Sequence, residues 1–121
     1  MSARVKSSKM LPRDDWSRFL EAFSLRCHGW LVRFETHDLV TREKVMSQET
    51  PLDSIELDLE DEKNPRINIT VHSGNKVIKH ILFLPSQLVL QSADGDREQS
   101  LQIETVNTET TVHLRMPAPL T

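Results

Sequence analysis

The side chains of this sequence best able to do chemistry are one thiol, five imidazoles and a cluster of carboxylates. Cys27 stands beside His28. A thiolate–imidazole dyad needs its two side chains to converge, and consecutive residues at the end of a helix diverge by about 100°. Cys27 therefore reads as a packed thiol with no third group to activate it. The histidines, His28, His37, His72, His80 and His113, stand at none of the short spacings that define a zinc site. A metal would have to be assembled across strands. His72 and His80, each with a carboxylate brought near by folding, are the places from which general acid or base chemistry could be built. Glu and Asp crowd positions 58 to 62, but without the regular oxygen spacing and central glycine of a calcium loop. That run reads as a solvated strand edge and turn, where charge discourages unwanted pairing.

A phosphate cradle needs clustered glycines, and the three present, Gly29, Gly74 and Gly95, are isolated from one another. There is no Gly-x-Ser-x-Gly nucleophile elbow either. The residues thus offer no catalytic group, no cofactor and no metal ligand, and the expectation is a protein that is not an enzyme.

Charge is distributed unevenly. The chain carries 15 basic and 18 acidic residues, formally −3. The first eleven residues hold Arg4, Lys6 and Lys9 and no acid, which leaves 12 basic against 18 acidic, or −6, for the remainder. Between Asp53 and Lys63 six acids meet one lysine. Such a body repels phosphate backbones. Only six aromatic rings are present, with no tyrosine, and four of them belong to one helix and its exit, so nucleic acid is not an expected partner. Residues 1–10 are expected to form a flexible basic arm in which Arg4, Lys6 and Lys9 meet a protein partner. Residues 117–121, with Pro117 and Pro119, are expected to form a tail.

The longest apolar run, Ile81 to Leu84, is far shorter than the roughly 20 residues of a membrane-spanning helix, so any membrane association would be peripheral, through a larger complex. With one cysteine the chain can form no internal bridge, and no apolar stretch of signal-peptide length follows the basic start; the expected location is the cytoplasm.

These residues must be positioned by one domain, residues 11–116. Pro12 suits a first helical position, Asp14 and Asp15 favour the positive end of the helix dipole, and Trp16, Phe19, Leu20 and Phe23 fall at i, i+3, i+4 and i+7. The helix stops at Cys27 or His28, before Gly29. From Trp30 the period becomes two, as in Trp30, Val32, Phe34, then Ile55, Leu57, Leu59, then Ile67, Ile69, Val71, then Leu101, Ile103, and last Val112, Leu114, Met116. Val77 to Leu84, apolar on both parities apart from Lys79 and His80, is expected to be a central strand covered on both faces. Leu39 to Met46, with apolar pairs flanking Thr41-Arg42-Glu43-Lys44, fits either a strand or one helical turn and is assigned as a strand. Ser73-Gly74-Asn75 and Asp94-Gly95 mark hairpins; a two-residue loop at Gly74-Asn75 would put His80 opposite Ile69, and a three-residue loop would put Lys79 there. The expected fold is α+β, one N-terminal amphipathic helix packed on a curled antiparallel meander of six to eight strands, a partly closed barrel or roll.

The run Leu11-Pro12-Arg13-Asp14-Asp15-Trp16, with Phe19, Phe23 and then His28-Gly29-Trp30-Leu31-Val32, resembles the opening of a family of small bacterial proteins of unknown function. The resemblance extends more loosely to the C-terminal strands. It implies a bacterial, single-domain, cytoplasmic protein and transfers no catalytic residue. The expected function is a non-enzymatic accessory or interaction protein, a small peripheral subunit of a larger assembly that docks through its terminal extensions. The alternative is a carrier or sensor holding a small molecule in a cavity of the curled sheet.

Overall fold

The computed structural model describes residues 7–93 and 97–117. Pro12, at φ −60° and ψ 142°, leads into a 3-10 turn, Arg13–Asp15, which passes directly into helix α1, Trp16–Arg26. Trp16, Leu20, Phe23 and Ser24 form its buried face. Phe19 stacks on Phe23 with ring centroids 5.3 Å apart, and Trp16 fixes its indole by donating from Nε1 to the Leu11 carbonyl at 2.9 Å. The helix ends where Gly29 takes φ +83°, a left-handed conformation that costs glycine little.

Among the described residues nine strands follow or flank the helix: β1 (Ser7–Met10), β2 (Leu31–Asp38), β3 (Lys44–Met46), β4 (Thr50–Asp58), β5 (Arg66–Ser73), β6 (Lys76–Phe83), β7 (Gln87–Ala93), β8 (Glu98–Glu104) and β9 (Thr108–Arg115). Their order is β1-β7-β8-β9-β2-β4-β5-β6, with β3 beside β2. Every pairing is antiparallel.

Strand β2 determines the shape. One side runs against β9 along its whole length, from Leu31↔Arg115 to Asp38↔Thr108. On the other side only Leu31 and Val32 pair with β4, while Glu35, Thr36 and His37 pair with β3. Beyond that corner β4 leaves the plane and takes β5 and β6 with it. The two halves then share one interior, in which Ile55, Ile67, Ile69 and Val71 join Val32, Leu101, Ile103 and Val112. Phe34 on β2 meets His80 on β6 with centroids 4.1 Å apart, although those strands are not neighbours. Helix α1 closes the edge that β4 exposes after the corner: Ile55 N–H donates to Ser24 Oγ at 2.9 Å, and Gly29 N–H to the Leu52 carbonyl at 2.8 Å. Covering an edge in this way satisfies its ladder groups and blocks further pairing there.

The α+β antiparallel architecture and the helix at Trp16–Arg26 agree with the sequence expectation, and His80 does pair with Ile69. Four points differ. The sheet has nine strands among the described residues, where six to eight in a partly closed barrel or roll are expected, and it is not closed: β1 and β6 remain its two terminal strands. Nor is the helix the first element, because Ser7–Met10 of the expected arm forms β1 against β7. Ser7, Ser8, Lys9 and Met10 are all exposed and carry no apolar alternation; only backbone pairing makes them a strand, and no sequence period announces it. Thirdly, Val77–Leu84 is not central, since β6 lies at the edge and is largely exposed. Finally, of Leu39–Met46 only Lys44–Met46 is strand. Asp38 Oδ1 accepts the N–H groups of Val40 and Thr41 at 2.8 and 2.9 Å and turns the chain first. The expected hairpin at Asp94-Gly95 and the tail beyond Pro117 lie outside the described residues.

Candidate functional site

Two surfaces concentrate features that core packing does not account for. On the outer face of the β7–β8–β9–β2 half, strand register aligns polar side chains in rows. Gln91, Ser100, His113 and Arg33 form one row, and Gln102, Thr111 and Glu35 run beside it. Glu35 is the focus. It accepts from His37 Nε2 at 2.8 Å and from His113 Nε2 at 3.3 Å, and Lys44 Nζ lies 3.5 Å away. The His37 hydrogen bond, with help from His113 and Lys44, holds the carboxyl well down, at about 2. Next to this cluster a groove of ≈ 390 Å³ opens between Arg33, Ser100, His113 and Arg115. Arg115 grips Glu49 with two bonds of 2.7 and 2.8 Å, which keeps Glu49 ionised below its ordinary range. Arg33 Nε is buried and has no hydrogen-bond partner among the described residues. Among the described residues this face joins no hydroxyl or thiol nucleophile to a base; its carboxylates Glu35 and Glu49 are held by His37, His113 and Arg115. No group of three or more His, Cys, Asp or Glu among the described residues is placed to hold a metal ion.

The second surface is the free edge of β6. Leu84 N–H continues the β5–β6 ladder to the Pro65 carbonyl at 2.9 Å. Because antiparallel ladder bonds alternate, residues 76, 78, 80 and 82 bond to β5, and Val77, Lys79, Ile81 and Phe83 turn their N–H and C=O groups to the open edge. The same four side chains occupy the outer face. Val77, Ile81 and Phe83 are 62%, 39% and 59% exposed. Exposed apolar side chains on an unpaired strand are what native sheets ordinarily avoid. Behind the edge a cleft of ≈ 440 Å³ runs between Ile81–Leu84 and the residues Thr36, Thr105, Val106, Thr108 and Thr110.

The groups singled out from sequence are dispersed. Arg4 and Lys6 lie outside the described residues, and Lys9 sits exposed in β1 opposite Leu90. Cys27 is fully buried, and burial pushes its thiol pKa up. His28 is exposed instead and bonds through Nδ1 to the Asp53 carbonyl at 2.9 Å, so no dyad forms. His72 lies 3.2 Å from Asp53 Oδ1 on the outer face of β5. His80 points the other way, against Phe34, where burial lowers its pKa. These two histidines share no site. The acidic run makes a turn in which Asp58 and Asp61 accept backbone N–H groups from Glu60 and Lys63. The Glu35 cluster went unread, although Glu35 and His37 at a spacing of two already share a strand face; His113, 78 positions on from Glu35, enters only through the β2–β9 register.

Among the described residues no helix is long and apolar enough to cross a membrane. No curated protein and no solved structure matches the chain. The sequence model of a family of unknown function, DUF5335, matches residues 7–121, and the chain belongs to that family.

Proposed function

We propose that this member of DUF5335 is a non-enzymatic interaction protein, an accessory subunit that docks another polypeptide along the open edge of β6. The observation that carries this reading is the coincidence, on Val77, Ile81 and Phe83, of unpaired backbone groups with exposed apolar side chains. Strand addition uses both at once: the ladder supplies affinity and alternate side chains supply selectivity. The opposite end of the sheet, β1, bears Lys9, and Arg4, Lys6 and Lys9 are the second contact of the proposal, a cationic patch for an acidic partner surface. The proposed setting is a cytoplasmic or peripheral membrane assembly.

Affinity capture with the immobilised chain tests this. A protein retained by the wild type and lost with Phe83→Glu is the expected result; identical retention by both baits overturns the reading.

The cleft behind β6 favours a second reading, a small-molecule carrier, because the apolar residues Ile81–Leu84 and Val106 line it together with four threonines. Thermal shift against a panel of amphipathic ligands checks it. A shift abolished by Thr110→Val and Val106→Asp supports a carrier, and no shift with any ligand removes it.

A further inference from the structure

We propose that β6 pairs with β6 of a second copy of this chain, antiparallel and centred on His80; this rests on the β6 edge being the docking surface. Pairing through the open edge must set Val77, Lys79, Ile81 and Phe83 of one copy against the same set in the other, since only these turn their N–H and C=O groups outward. A two-fold axis therefore passes through a residue and not between residues. The Gly74-Asn75 turn and Leu84, whose φ of +54° ends the extended run, bound the strand, leaving residues 76–83 to pair. An axis at residue 79 would set Lys79 directly against Lys79 of the second copy, and like charges in opposed positions repel. An axis at 81 would set Val77 against Pro85, which has no N–H to give.

The axis at His80 meets neither obstacle. It places Val77 opposite Phe83 and Lys79 opposite Ile81, twice over, and uses all four outward residues of each copy, about eight hydrogen bonds in all. On the outer face six apolar side chains, three from each copy, then form one continuous stripe from residues that are now 39% to 62% exposed. The strand also carries no acid, so no buried carboxylate would be left without a partner. Such a contact is isologous and self-closing, so it ends at a dimer. Edge-to-edge pairing buries little area and belongs with the weaker interfaces, below about 1,200 Å².

Sedimentation equilibrium of the wild-type chain from about 10 to about 500 µM covers the range expected for an interface of that size. The expected result is a monomer–dimer equilibrium. Ile81→Pro removes one outward N–H, leaves the β5–β6 ladder intact, and is expected to give a monomer with an unchanged circular dichroism spectrum. Val77→Lys and Phe83→Glu are each expected to be monomeric alone, and their equimolar mixture is expected to dimerise, because only the His80 register opposes positions 77 and 83. A wild type that stays monomeric throughout, or dimers that persist in both Ile81→Pro and Phe83→Glu, overturns the proposal. A monomeric wild type that still captures another protein through Phe83 would leave the interaction reading standing and remove the homodimer. A dimer whose variants show no rescue on mixing overturns the register.

Discussion

The Ile55 N–H donates to the Ser24 hydroxyl at 2.9 Å, and this buried bond joins the helix to the edge of β4 at the point where the sheet leaves its plane. Both groups are shielded from water. Ser24→Ala keeps the helix and its shape but orphans the Ile55 donor. The expected loss is about 1–3 kcal/mol, seen as a lower urea midpoint with an unchanged m value.

Glu35 governs the acid limb of stability. Its folded pKa, about 2, lies below the ordinary 4.5, so its contribution is complete above about 4.5 and is lost as pH falls towards 2. The side chain is 19% exposed, and water screening reduces the contribution to about 1–2 kcal/mol. Glu35→Gln is expected to lower stability by that amount at neutral pH and to converge with the wild type near pH 2. Parallel stability curves across this window would show that the histidine contacts contribute nothing.

Gly29 has φ +83°, and a Cβ there would meet nothing within 4 Å. Gly29→Ala therefore isolates the backbone cost of the left-handed conformation, about 1 kcal/mol. The same substitution at Gly74, φ +63° and equally open, is expected to cost a similar amount by thermal unfolding.

Cys27 is expected to react slowly. Its thiol is buried and its pKa raised, so alkylation at mildly alkaline pH should proceed at the rate of local opening and accelerate greatly in denaturant. Iodoacetamide labelling followed by mass spectrometry measures this. Labelling of the native protein as fast as of the unfolded chain would contradict the buried placement.

Local patterns in the chain carry the helix and the β5–β6 hairpin. Trp16, Leu20 and Phe23 lie on the helix's buried face as their spacing requires, and of the two loop lengths the sequence allows at Gly74-Asn75 the structure has the shorter, which sets His80 opposite Ile69. The position of β6 was not legible, because a strand apolar on both faces has the same composition whether it is sandwiched in a sheet or held at an edge for a partner. Lys76 and Lys79 were the available signal, lysine being common on edges. The division of β2 between β3 and β4 was hidden for another reason. It depends on pairs such as Leu31↔Arg115, far apart in sequence, which no periodicity encodes. The Glu35 cluster inherits that difficulty through His113.

Strand β9 lies between β8 and β2 and is the ladder that joins them. During synthesis the β4–β5–β6 hairpins can form while the chain is still emerging, but β2, with β3 and the start of β4 on one side, lacks β9 on the other until Thr108–Arg115 leaves the ribosome. A nascent chain arrested before that point would carry raw edges on both β2 and β8, and a chaperone that shields extended segments would find its substrate there.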